Sequence, residues 1–198
     1  MGSRPSWNQE PATSERRHDT IAMLEASAQL SVRLVEITPQ DRDCLCALMQ
    51  LYAYDFSEFL DLDVASDGSF PVPSIDPYFT DFRRHGFLLH SQDRLVGFAL
   101  VSEGSRLTSD EQVHDMAEFF VMRRYRKRGV GRGAASLLFD RFQGRWEVRQ
   151  RVGNHAATRF WRRTIGDYTG GHFEELSLDD ERWRGQVQCF DTSMHRAR

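Results

Sequence analysis

A chain of 198 residues, 40% hydrophobic and 28% charged, has the length and composition of one globular domain with some appendage. Its formal net charge of −3 argues against a general nucleic-acid binder, and no apolar run is long enough to cross a bilayer or to form the core of a signal peptide. Of three cysteines, Cys44 and Cys46 stand close together and Cys189 alone, without metal-type spacing, which predicts reduced thiols in a cytoplasm with no disulfide and no metal.

Residues 1 to 28 are rich in Ser, Arg, Glu, Pro and Thr, with little periodic apolar content before Ile21, Met23 and Leu24. That predicts a flexible tail ahead of a domain over 29–198. SVRLVEI (31–37) alternates like a strand. In DRDCLCALMQLYAYDFSEFL (41–60), Leu45, Leu48, Met49, Leu51 and Tyr52 fall at helical spacing, and DLDVASDGSFPVPSIDP (61–77) reads as a loop. GFLLH (86–90) and RLVGFALVSE (94–103) predict an antiparallel hairpin about an SQD turn, and VHDMAEFFVM (113–122) a further strand. After a helix over 129–142 come a strand at WEVRQRV (146–152) and a short helix at NHAATRFWRRTI (154–165), which Asn154 is placed to cap. HFEELSL (172–178) and GQVQCFD (185–191) close as an antiparallel pair. The order is that of an α/β chain, a mixed sheet with helices on its faces.

The stretch richest in chemistry is RYRKRGVGRGAASLLFDRF (124–142), where a burst of positive charge runs into Gly129, Gly131 and Gly133 and then into a helical pattern. Glycines let backbone approach a ligand closely, and the free N–H groups and dipole of a helix N-terminus favour an anion. Because the whole chain is acidic, the basic run at 123–128 is local and suits a small anionic ligand better than a polymer. A P-loop would need Gly-Lys-Ser/Thr, and a dinucleotide fold three spaced glycines at the start of a parallel βαβ unit. Neither is present.

Arg126-Lys127-Arg128-Gly129-Val130-Gly131, set between a strand and a helix, resembles the Arg/Gln-x-x-Gly-x-Gly/Ala signature of the GNAT acetyltransferase superfamily. Val121-Met122-Arg123-Arg124-Tyr125 resembles that family's strand exit, and Asn154-x-x-Ala157-x-x-Phe160-Trp161 its second cofactor segment. The likeness runs over about 31–191 in topology and is specific over about 115–165. It implies a mixed, mainly antiparallel sheet with splayed central strands and helices on both faces, and acetyl-coenzyme A as the anion. On that reading the pyrophosphate rests near residues 128–133, which assigns Arg126, Arg128, Gly129, Val130, Gly131, Arg132 and Gly133 to the cofactor. For one of Arg126 and Arg128, a solvated basic edge is the plainer account. Phe120, Val121 and Arg123 go to the pantetheine and acetyl end, and Asn154, Ala157, Phe160 and Trp161 to the second segment.

Attack on a thioester needs a neutral amine and hence a proton acceptor, and the developing oxyanion needs a donor, here a backbone N–H near Val121. The resemblance puts the base on the strand bearing His114, Asp115 and Glu118. Counting back from Val121 in twos reaches Phe119, Ala117 and Asp115, whereas a bulge would bring Glu118 round instead. Glu118 interrupts an apolar run, a setting in which burial raises a carboxyl pKa; an ion pair with a neighbouring arginine is the plain alternative. His114 reads as a strand-edge residue. The family's usual acid is a tyrosine, and here Trp161 stands in its place, whose indole cannot donate as a phenol does. Tyr168 is the nearest substitute in sequence and His172 the next, or the thiolate leaves without an acid.

Acceptor specificity in such proteins usually comes from the first helix and its loop. There Tyr52, Tyr54 and Phe56 stand among Asp55, Glu58, Asp61, Asp63 and Asp67, which suits a cationic amine by charge pairing and cation–π contact. An acidic helix face and a solvated loop would look the same. A loose similarity to bacterial acetyltransferases acting on aminoglycosides, including kasugamycin's 2'-amine, points to a small cationic antibiotic as partner, bound by Tyr52, Tyr54, Asp55 and Glu58. A polyamine, a protein lysine or an N-terminus are alternatives, and Trp161 leaves open a non-catalytic acetyl-CoA sensor. The resemblance adds a homodimer, and neither nucleic acid nor membrane as partner.

Overall fold

A computed structural model describes residues 31 to 193, so the tail expected over 1–28 lies outside the described residues. The strands are β1 (Arg33–Glu36), β2 (Arg84–Ser91), β3 (Arg94–Glu103), β4 (Val113–Val121), β5 (Arg145–Arg151), β6 (Glu174–Asp179) and β7 (Arg184–Asp191). The helices are α1 (Arg42–Phe56), the single turn α2 (Pro77–Thr80), α3 (Val130–Arg141) and α4 (His155–Thr169). Each expected element is present in its expected order. Two boundaries move. α1 loosens into turns after Phe56, with Phe59 and Leu60 both donating back to the Phe56 carbonyl. α4 runs one turn past Ile165, because Thr169 still packs inward, and it stops at Gly170 in the left-handed region with φ 65°.

The seven strands form one sheet in the order β1-β2-β3-β4-β5-β7-β6. Apolar residues on both faces of the central strands require cover on both sides, and the helices supply it. Phe87, Leu89, Val101, Met116 and Val121 pack against Val130, Leu138 and Phe139 of α3 and Trp161 and Ile165 of α4. On the opposite face Leu88, Phe98, Leu100 and Phe120 pack against Leu45, Leu48 and Met49 of α1. Among the described residues no helix is long and apolar enough to cross a membrane.

Two irregularities position the site. β4 and β5, the one parallel pair, are in register from Val113↔Arg145 to Asp115↔Glu147 and then diverge. This is the splay. The second irregularity is in the β3–β4 ladder, where Leu100 opposes Glu118 but Val101 opposes Met116, so Ala117 is an extra residue and β4 carries a bulge there.

Candidate active site

The C-terminal half of β4 has an edge that its parallel neighbour has left. The Met122 N–H bonds the Val96 carbonyl at 2.9 Å, so strand alternation turns the N–H and C=O of Val121 to the other side, toward the gap. The Val121 carbonyl accepts from Arg126 Nε at 2.7 Å. Its N–H, beyond the last β4–β5 pair, points into the splay.

A cleft of about 640 Å³ lies along this edge, floored by Phe119, Phe120 and Val121. One wall is the β4–α3 turn. Lys127 and Gly129 both take left-handed backbone, with φ 59° and 84°, and fold the turn tightly onto the start of α3. The first α3 helical bond, from the Gly133 N–H to the Gly129 carbonyl at 2.9 Å, leaves the amides of Val130, Gly131 and Arg132 without helical partners. Arg126, Lys127 and Arg132 line the cleft beside them. Three cations and a helix N-terminus make a donor set for a polyanion. The other wall is α4. Asn154 caps that helix by accepting from the Ala157 N–H at 3.0 Å, and Ala157, Phe160 and Trp161 complete the lining.

Several residues expected around the anion do other work. Val130 is fully buried in the core, and Arg128 is exposed outside the cleft. A Cβ on Gly133 would lie 2.9 Å from Val32 Cγ1, so this glycine seats α3 against the segment leading into β1. A Cβ on Gly131 would lie 3.1 Å from the Phe160 ring, so its smallness first of all makes room for that ring. Lys127 is the addition. It occupied an unspecified position of the signature, and its left-handed backbone, which brings it to the cleft, leaves no trace in sequence.

On the α1 side of the splay lies a second cavity of about 930 Å³. It shares Tyr52, Phe56, Phe119, Asn154, Ala157 and Trp161 with the first, so the two meet at the gap between β4 and β5. Glu118 lies in its wall and accepts a 2.6 Å hydrogen bond from the Tyr52 hydroxyl. Burial pushes the Glu118 carboxyl above the ordinary glutamate range, against the opposing pull of the Tyr52 bond and the Arg149 charge. Burial and the neighbouring Glu118 charge hold Tyr52 well above an ordinary phenol, so Tyr52 stays a donor. A carboxyl raised in this way is a stronger base than an ordinary glutamate.

The structure places Asp115 elsewhere. The bulge at Ala117 breaks the count in twos, so Asp115 shares its face with Glu118 and Phe120 instead of with Val121. Its carboxylate is fully buried and accepts from Arg149 Nε and Nη2, both at 2.9 Å, with Arg106 at 3.7 Å. It lines neither cavity. Tyr168 is also remote: its hydroxyl donates to Asp140 at 2.8 Å and its ring packs on Phe139. His172 is exposed beyond the end of α4.

The acidic wall expected around the acceptor does not form. Tyr52 is in place, but Tyr54 is 61% exposed and rests on Phe70. Asp55 is bound by Arg123 at 2.8 Å and by Arg126, which ties α1 to the β4–α3 turn and uses up its charge. Glu58 lies at the rim of the first cleft, and Asp61, Asp63 and Asp67 line neither cavity. The second cavity instead carries more arginine than carboxylate, Arg106, Arg149, Arg151, Arg182 and Arg184 against Glu118, Asp180 and Glu181, all of them far along the chain from α1.

The family model described as acetyltransferase (GNAT) matches residues 48–166, from within α1 to near the end of α4. Among solved structures, an acetyltransferase from Thermus thermophilus is 18% identical with a TM-score of 0.58, over 82% of this chain and 96% of that one. Spermidine N-acetyltransferase from Vibrio cholerae, in complex with CoA and spermine, is 14% identical with a TM-score of 0.56, over 85% and 98%. Aminoglycoside N(6')acetyltransferase from Legionella pneumophila is 9% identical with a TM-score of 0.57, over 85% and 96%. At such identities the likeness is one of fold. No curated protein sequence matches the chain.

Proposed function

Since the chain belongs to the GNAT family of acetyltransferases, whose acetyl donor is acetyl-coenzyme A, we propose that its first cleft holds that donor and its second cavity presents a small primary amine to it. The observation that carries this reading is the meeting of a cationic, helix-capped cleft with a buried carboxylate at the open edge of β4. Bound in the cleft, the cofactor supplies an activated acetyl thioester. Arg126, Lys127, Arg132 and the amides at the start of α3 hold its pyrophosphate, and the open edge of β4 pairs with its extended arm. Glu118 takes the proton that the attacking nitrogen gives up as the C–N bond forms and the C–S bond breaks, and Tyr52 fixes the carboxylate that receives it. The Val121 N–H faces the place where negative charge develops on oxygen. Tyr168 and His172 lie away from both cavities, so the thiolate leaves without either of them as its acid.

Enclosure of Glu118 in the cavity wall favours a small amine over a protein lysine. An aminoglycoside or polyamine loses its main support once Asp55 and the loop carboxylates are accounted for. Three free cysteines suit a reducing cytoplasm.

Calorimetry with acetyl-CoA and a free-thiol release assay over a panel of amines test the reading. The protein should bind acetyl-CoA and release thiol only when an amine is present. Arg126→Ala should weaken acetyl-CoA binding by about two- to fivefold at low salt and by less at high salt, because an exposed charge is screened. A folded protein without affinity for acetyl-CoA would end the proposal.

A further inference from the structure

The second cavity is electrically lopsided. Its β4–α1 side presents Glu118 and Tyr52. Its β5 side presents Arg149 and Arg151, two positions apart on one face of the strand, with guanidinium carbons 4.4 and 4.9 Å from the centre of the Trp183 ring. Trp183 is itself pinned, its indole N–H donating to the Gln150 carbonyl at 3.1 Å. Arg182 of the β6–β7 turn and Arg184 at the start of β7 line it as well, together with Asp180 and Glu181.

Most of these charges have partners. Arg149 is held by Asp115, Arg182 by Asp180 at 2.6 Å, and Arg184 by Asp179 at 2.8 Å. Arg151 differs, since no carboxylate pairs with it among the described residues and its one charge-bearing contact is the face of Trp183. A guanidinium laid on an indole keeps its N–H edge for a ligand, and that edge matches a carboxylate in a two-point bond. Its field reaches the far wall, where it favours the ionised forms of both Glu118 and Tyr52.

We propose that this cavity takes an amine of amino-acid type, with the acceptor's carboxylate on Arg151 and its amine at Glu118, an assignment that rests on the acetyl-transfer reading above. Arg151 is thereby a specificity determinant. It separates acceptors by the group they carry away from the reacting nitrogen.

The test uses matched acceptors: alanine, phenylalanine and glutamate, each against its α-carboxamide, with spermidine and tobramycin as carboxylate-free cations. Thiol release should favour at least one acid over its amide by about tenfold in kcat/KM, the worth of one good charge-assisted contact. Arg151→Gln should remove most of that ratio by raising KM for the acid while kcat changes little, and Arg151→Lys should restore part of it. Calorimetry should find acetyl-CoA affinity unchanged in both variants. A preference for spermidine or tobramycin, no turnover of any acid, or an acid-to-amide ratio that ignores Arg151→Gln overturns the inference and leaves acetyl transfer standing. Loss of acetyl-CoA binding by the wild-type protein is a different result, and it removes both.

Discussion

Replacing Glu118 by glutamine should lower the rate of acetyl transfer at neutral pH by about a hundredfold or more, the usual worth of a positioned general base. Glutamine keeps the shape and can still accept from the Tyr52 hydroxyl, so the loss is of basicity and not of packing. The pH profile carries the sharper signature. A base must be ionised to work, and burial has moved this carboxyl above the ordinary glutamate range. The wild-type rate should therefore fall as the pH drops through a window above that range, and the variant should lose that acidic limb. A variant with wild-type rates and an intact limb would mean that water or the acceptor itself handles the proton.

Asp115→Asn should do the reverse, unsettling the fold while changing the rate of the folded molecules far less than Glu118→Gln does. The carboxylate is fully buried in a two-point bond to Arg149, whose side chain is itself only 12% exposed. Taking one charge from such a pair strands the other, at a cost of about 3–5 kcal/mol. For a chain of this size that corresponds to a fall of roughly 6–20 °C in Tm. Thermal melts alongside initial rates at low temperature separate the two carboxylates: Glu118→Gln should melt like wild type and react slowly, and Asp115→Asn the opposite. A melt unchanged by Asp115→Asn would mean that the ion pair holds nothing together.

What sequence could and could not reveal divides along physical lines. The strands and helices were legible because period and punctuation are local properties, and Gly129, Asn154 and the β2–β3 turn carry theirs within a few residues. The cationic, glycine-marked turn before α3 was legible for the same reason. The acceptor side was not. Asp55 advertised a charge but not its partners Arg123 and Arg126, which only the docking of α1 on the β4–α3 turn brings within reach. Tyr168 looked close to Trp161 in sequence, yet seven residues of helix carry it about 10 Å along the axis, away from the cleft. Arg151 and Trp183 reach the cavity from β5 and the β6–β7 turn, so no window along the chain contains the wall they build. The bulge that β3 imposes puts Asp115 and Glu118 on one face, and what sets them apart is Arg149, which arrives from β5 to hold Asp115.

The extra residue at Ala117 has a consequence for descent. Substitutions along β4 act one side chain at a time, and so, unusually for a strand, would the loss of the Ala117 codon. Because β3 already pairs Leu100 with Glu118 and Val101 with Met116, deleting Ala117 would restore strict alternation and leave every residue from Val113 to Met116 on the face it now occupies. Asp115 would keep its bond to Arg149, and Met116 its place in the core with Phe139 and Trp146. Length at this point is thus freer than elsewhere in the strand, and an ancestral line could gain or lose that one residue with both flanks still facing as they do.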